Sequence, residues 1–203
     1  MAPEPLGGKR GLIRRAGAIV LTGGLSTRMG TDKASLVVNG AAMVDRVTGV
    51  LAEAGVGPRA IAGSIEVPDP EANQGPMAGI VAGWRHLQTA NPQVANLGPV
   101  DPVVVLSCDL PSITAEVITH LIGVALNHRH GAVAHDGTRP QPLIAAYRPC
   151  ALDQLEYRYL EGERSVRKCF TEWDLGTVEF DPRVLADADR PEDLKGFDVE
   201  WPC

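Results

Sequence analysis

The chain has 203 residues, 44% of them hydrophobic, and a formal net charge of −6. That length suits one sizeable α/β domain rather than two, and the apolar fraction is that of an ordinary globular protein. The acidic balance argues against a general nucleic-acid binder, which needs a basic face, and no apolar run approaches the roughly 18 residues of a membrane-spanning helix.

Residues 1–15 are polar and basic (Lys9, Arg10, Arg14, Arg15) and lack the apolar centre of a signal peptide, so they read as a flexible tail ahead of a single domain over 16–203. The default location is then the cytoplasm. Four cysteines (Cys108, Cys150, Cys169, Cys203) form no C-x-x-C pair and no zinc spacing.

The first strand is expected over 16–20 (AGAIV). It runs into Leu21, Thr22, Gly23 and Gly24, followed by Ser26, Thr27, Arg28, Gly30, Asp32 and Lys33. Paired glycines leaving a strand let backbone N–H groups approach an anion closely, because no Cβ stands in the way. Arg28 and Lys33 add positive charge suited to phosphate oxygens. The stretch therefore reads as a polyphosphate cradle. Two familiar cradles are excluded by spacing: five residues separate Gly24 from Gly30, one too many for a P-loop, and no G-x-G-x-x-G follows the strand.

Further along, Met43, Val44, Val47, Val50, Leu51 and Ala54 recur at helical spacing, with Gly55 as a cap. A weak strand is expected over 59–63, then a proline-broken loop with Asp69, then a helix opened by Gly75-Pro76 and carrying Gly79. Residues 91–100 read as a surface insertion. The run 103–106 (VVVL) is a strand covered on both faces, ending at Ser107, Cys108 and Asp109. A helix follows, capped by Ser112 or Thr114. Strands at 131–135 and 143–147 flank Asp136 to Pro142. Helices are expected around Leu152 to Leu160 and over 165–170, a late strand over 176–180, and a last helix with Pro191 in its first turn. Strands alternating with helices of this length predict a doubly wound, mostly parallel sheet with ligands at the carboxyl ends of its strands. Asp109 stands at that edge, either as a magnesium ligand or as an acid capping the next helix.

Several of these segments resemble one family. Leu21, Gly23, Gly24, Ser26, Arg28, Met29, Gly30, Asp32 and Lys33 match the signature L-x-G-G-x-S-x-R-M-G-x-D-K of the molybdenum cofactor guanylyltransferases, with Thr22 where alanine is usual. Cys108, Asp109 and Pro111 resemble the family's metal-binding C-D-x-P. Asp69 with the segment 75–79 (GPMAG) resembles its D…G-P-L-A-G, where the acid reads guanine; a plain turn residue before Pro70 is the other reading of Asp69. Arg139, Gln141 and Pro142-Leu143 resemble its H-P-L segment, and the 162–167 segment resembles its G-E-R-x-V turn, thought to face the pterin. By composition alone Arg164, Arg167 and Lys168 would be a solvated helix face. Asp187 and Asp189 fall where the family's N-x-N-T-P-E-[ED]-L has asparagines, and Arg190 stands for threonine.

The resemblance implies a Rossmann-like fold of the nucleotide-diphospho-sugar transferase type. It also implies a Mg2+-dependent transfer of GMP from GTP to the terminal phosphate of molybdopterin or its molybdenum form, releasing pyrophosphate. On this reading Lys33, Arg28 and Asp109 are catalytic. The nucleotide is held by Leu21, Thr22, Gly23, Gly24, Ser26, Arg28, Lys33, Asp69, Gly75, Gly79 and Asp109. The acceptor meets Arg139, Gln141, Arg164, Asp187 and Asp189. Two aspartates beside phosphates would repel them unless a cation sits between, so Asp189 is either a second metal ligand beside Asp109 or a sign of a different substrate. The alternatives are a cytidylyl or sugar-phosphate nucleotidyltransferase and a non-catalytic nucleotide-binding maturation protein. GTP and molybdopterin are the expected small-molecule partners, with molybdoenzymes or cofactor-delivery proteins as possible macromolecular ones; neither nucleic acid nor membrane is expected.

Overall fold

The structure, a computed structural model, describes residues 15–22, 33–57, 59–64, 67–68, 75–89 and 100–200. The tail 1–14 and the expectations placed on Gly23, Gly24, Ser26, Arg28 and Asp69 lie outside the described residues, as does most of the insertion expected over 91–100. Val100 at its end is buried, not at the surface.

Six strands form one sheet: β1 (Gly17–Leu21), β4 (Arg59–Ala62), β5 (Val103–Ser107), β6 (Gly131–His135), β7 (Pro140–Tyr147) and β8 (Leu175–Glu179), in the order β4-β1-β5-β7-β6-β8. Strands β4, β1 and β5 are parallel, and β6 with β8 parallel to each other. The exception is β7, antiparallel to both its neighbours. Its reason is local: the link from His135 to Pro140 is far too short for the crossover of a dozen or more residues that parallel strands require, so the chain turns back as a hairpin.

Strand alternation divides the core into two halves. Ala18, Val20, Val104 and Leu106 face one side, while Ile19, Leu21, Val103 and Val105 face the other. Helices α1 (Met43–Glu53) and α3 (Ala115–Ala125) cover the first side through Val47, Leu51, Ile118 and Leu121. Helices α2 (Pro76–Thr89) and α4 (Pro149–Leu160) cover the second through Met77, Ile80, Trp84, Leu152 and Leu155. The sheet is thus doubly wound and mostly parallel, as the alternation of patterns predicts. Trp84 Nε1 donates to Asp153 Oδ1 at 2.9 Å and Arg85 Nε to Glu156 Oε1 at 2.7 Å, tying α2 to α4. Thr114, not Ser112, holds the cap position of α3, yet its hydroxyl makes no capping bond.

A second sheet escapes the sequence reading. Strands β2 (Val37–Val38), β3 (Ala41–Ala42) and β9 (Val199–Glu200) pair in the order β3-β2-β9. Asn39 and Gly40 turn β2 into β3 with φ of 51° and 77°, the left-handed pair an Asn-Gly hairpin turn requires. Asn39 Oδ1 accepts from the Asp198 N–H at 2.8 Å, which brings in β9. Leu36, Val38, Met43, Ala188 and Leu194 form a small core beneath it. The expected last helix is a single 3-10 turn, Pro191–Leu194. Among the described residues no helix is long and apolar enough to cross a membrane.

Candidate active site

Because β1 and β5 are parallel and adjacent, with Leu21 opposite Ser107, their carboxyl ends leave the sheet side by side. The Cys108 N–H donates to the Leu21 carbonyl at 3.0 Å, so the chain segments leading to Asp109 and to the glycine loop start from one point. Leu21 itself is buried, its side chain in the core. Thr22 turns its backbone N–H (3.1 Å) and its hydroxyl (2.7 Å) onto the Ala62 carbonyl, so both its protons brace β4 rather than face an anion.

Lys33 opens a 3-10 turn, Lys33–Ser35, packed against α1. The next residue, Ala34, joins the same apolar cluster as Cys108 and Leu110, the neighbours of Asp109. The two segments that carry the expected amine and carboxylate therefore pack on the same side of the sheet. Gly75 precedes α2 with φ of +77°, a conformation that favours glycine, and Gly79 is buried one turn into that helix. Since β4 runs parallel to β1, the start of α2 meets this edge too.

Asp109 is half-buried, with its Oδ1 shielded from solvent. Its backbone carbonyl accepts the Ala188 N–H at 2.8 Å, which sets Asp187 and Asp189 on either side of that contact. Asp187 is exposed and Asp189 half-buried. The Asp189 and Arg190 N–H groups both donate to Asp193 Oδ2, at 3.0 and 2.8 Å, fixing the turn that presents Asp189. Among the described residues no group of three or more His, Cys, Asp or Glu gathers as a metal cage. A nucleotide-bound Mg2+ asks for less, one or two carboxylates with phosphate oxygens and water. The hard oxygen donors of Asp109 and Asp189 fit that requirement.

On the far side of the edge, β7 continues past its last β5 partner, Ile144 opposite Leu106, to Pro140. The hairpin tip is folded by Asp136, whose carboxylate accepts the N–H groups of Thr138 and Arg139 at 2.8 Å and the Gln141 amide. These bonds, the Arg139 N–H first, hold the Asp136 carboxyl below its ordinary range. Arg139 is exposed. The turn after α4 packs against this hairpin: in α5 (Val166–Cys169) Arg167 Nη2 reaches the Pro140 carbonyl at 3.4 Å. Arg164 lies over the Tyr159 ring, 4.3 Å from its centroid, and Nη1 donates to the Tyr159 and Glu163 carbonyls at 2.9 Å, capping α4. Lys168 is exposed, as expected of a solvated charge, and also pairs with Glu163 at 2.9 Å. That ion pair, with the Ser165 and Arg164 N–H groups, brings the Glu163 carboxyl down to about 2.

The structure thus gathers Asp109, Asp187 and Asp189 in one group, and Arg139 and Gln141 with the 163–168 turn in another, both along the carboxyl edge. Asp136, Glu163 and Asp193 organise these groups; Glu163 lies in the G-E-R-x-V segment, while the sequence assigns Asp136 and Asp193 no part in the site. Each stands one to five residues before or after the groups it holds, the spacing of a local side-chain bond.

Known proteins resemble this chain over most of its length. A family model described as a MobA-like NTP transferase domain matches residues 18–177. A probable molybdenum cofactor guanylyltransferase of Opitutus terrae is 34% identical over 163 residues, covering 75% of this chain and 76% of its own. A molybdenum cofactor guanylyltransferase of Rhizobium meliloti is 31% identical over 175 residues, covering 80% and 78%. Among solved structures, the molybdopterin-guanine dinucleotide biosynthesis protein A of Archaeoglobus fulgidus has the same fold, with a TM-score of 0.64 at 21% identity over 88% of this chain and 95% of that one. With its doubly wound sheet, its edge-on carboxylate and these relatives, the chain belongs to the MobA-like NTP transferase family and is a nucleotidyltransferase.

Proposed function

We propose that this chain, with residues 16–203 as one cytoplasmic domain, transfers GMP from GTP to the terminal phosphate of molybdopterin or its molybdenum-loaded form. The observation that carries the reading is the shared carboxyl edge. The Cys108 N–H bonds the Leu21 carbonyl, and Ala34 belongs to the same apolar cluster as Cys108 and Leu110, which supports a reading in which Lys33 and Asp109 serve one nucleotide.

An acceptor phosphate oxygen attacks the α-phosphorus of GTP in line with the bond to the β-phosphate. That bond breaks and pyrophosphate leaves with the electron pair. A phosphate nucleophile is ionised at neutral pH, so no general base is required, and the protein's contribution is alignment and charge stabilisation. Arg28 and the amides around Gly23, Gly24 and Ser26 hold the β- and γ-phosphates. Lys33 meets the α-phosphate, where negative charge accumulates in the transition state. Asp69 accepts from guanine N1–H and N2–H2, a pair that adenine and cytosine do not present together. Gly75 and Gly79 let α2 approach the nucleotide, and Arg139, Gln141, Arg164 and Asp187 face the acceptor. Asp109 and Asp189 would hold Mg2+, which when bound offsets phosphate charge.

Asp187 and Asp189 favour a second reading, a cytidylyl or sugar-phosphate nucleotidyltransferase, since they add negative charge where the family has asparagine. Pyrophosphate release is measured with GTP, CTP and UTP, each with molybdopterin. Release from GTP at least about tenfold above CTP and UTP is expected. Preference for CTP or UTP moves the assignment to the second reading, and binding without release from any of them makes the chain a non-catalytic binder.

A further inference from the structure

Arg46 lies in the first turn of α1, outside every motif discussed above. Its Nη2 donates to the Pro111 carbonyl at 2.9 Å, across 65 residues of sequence, and its Nη1 makes a longer contact of 3.5 Å with the Val38 carbonyl. Nε is buried between them. Pro111 follows Asp109 by two residues, and Val38 follows Lys33 by five. One side chain therefore bridges the segment leaving Asp109 and the segment leaving Lys33.

Leu110 and Ile113 of the loop after β5 also pack in one apolar cluster with Val47 and Leu51 of α1, so Arg46 adds a polar tie to an apolar contact. A cleft of about 230 Å³ opens there between α1 and the loop after β5, lined by Gly49, Val50, Glu53, Leu110, Pro111 and Ile113 as well as Arg46. At this cleft the guanidinium ties the loop to α1 through the Pro111 carbonyl. A planar guanidinium offers its donors in a rigid fork, so it can bond two carbonyls at a set separation; a lysine ammonium is a point donor that satisfies one.

We infer that Arg46 is a positioning residue that sets the separation between the Lys33 and Asp109 segments. The inference rests on the proposed nucleotidyl transfer for its kinetic consequence and on geometry alone for its structural one. A shift of about 1 Å in aligned groups costs up to about a hundredfold in rate. Loss of an interaction felt only in the transition state lowers kcat rather than raising KM.

The test compares wild type, Arg46→Ala and Arg46→Lys in steady-state kinetics with Mg2+ and GTP, in thermal unfolding, and in amide hydrogen exchange without nucleotide. Arg46→Ala is expected to lower kcat about 10- to 100-fold with KM for GTP within about threefold of wild type. Arg46→Lys, keeping the Pro111 bond, should recover to within about tenfold. Exchange should quicken together at Val37–Val38 and at Cys108, Asp109, Leu110 and Ser112, and not in β6 or α4. A lower Tm with unchanged kcat, or faster exchange in one segment only, would overturn the inference. If Arg46→Ala does not fold, the same comparison of Arg46→Lys with wild type decides it. Should wild type release no pyrophosphate, the functional reading fails, and the exchange pattern still decides whether Arg46 couples the two segments.

Discussion

At Thr22 two donors converge on the one Ala62 carbonyl, so the residue ahead of the glycine loop is spent on holding β1 to β4. That frees the chemistry to Lys33 and Asp109, where the proposal concentrates it. Lys33→Ala and Asp109→Ala are each expected to lower kcat by roughly two to four orders of magnitude, the scale of losing a preorganised electrostatic group. Turnover near wild type in either variant, measured by pyrophosphate release, would sink the assignment of that residue. Glu163 makes a separate, pH-readable statement. Its carboxyl lies at about 2 instead of the ordinary 4.5, chiefly because Lys168 bonds it. Between those values the unfolded chain binds a proton that the folded turn refuses. Its contribution to stability is therefore complete above about pH 4.5 and is lost as pH falls through about 2. Carbon-detected NMR should find a Glu163 midpoint near 2 that rises towards 4.5 in Lys168→Ala; an ordinary midpoint in wild type would mean the turn is not held as described.

At the scale of elements, helix α2 lies unusually close to β1. A Cβ built on Gly83 would stand 2.6 Å from Ile19 Cγ2, inside contact distance of a fully buried side chain. Gly83→Ala should therefore cost about 1–3 kcal/mol as overpacking. Because α2 carries Gly79 and follows directly on Gly75, the substitution should also raise KM for GTP. Chemical denaturation and steady-state kinetics read the two effects, and stability equal to wild type would contradict the packing. The hairpins differ in how openly the chain announces them. Asn39-Gly40 between Val38 and Ala41 is a strong short hairpin signal, but β2 and β3 are only two residues each, too short to show a strand pattern. In β7 the strand starts at Pro140, not at Leu143, since the tip folds on Asp136 and pairing resumes at His135 opposite Pro140.

Over the whole molecule, the carboxyl edge collects segments from four distant parts of the chain: the β1 exit, the β5 exit, the β6–β7 hairpin with the turn after α4, and the return past Ala188 into β9. A ligand that binds this folded edge and not the unfolded chain stabilises by RT ln(1 + [L]/Kd), about 2.7 kcal/mol at a hundredfold excess over Kd. Mg2+ with GTP should therefore raise Tm by several degrees, CTP and UTP less, and chelation of the metal should remove most of the gain. Equal shifts from all three nucleotides would contradict guanine selection.

Some of this was legible before folding was considered. The buried runs at β1 and β5 and the helical spacing of α1, α2 and α3 declare themselves, because apolar periodicity is a local record of which face each element buries. The glycine-rich stretch around Lys33 and the acid after β5 carry their chemistry in residue type and spacing. Only the tertiary structure decided that Ala188 would bond the Asp109 carbonyl, that Arg46 would reach Pro111, that Thr22 would brace β4, and that β9 would join β2. Those contacts join residues 40 to 163 positions apart. No periodicity within one element records them; they exist because strand order and a shared carboxyl edge bring the ends of different elements together.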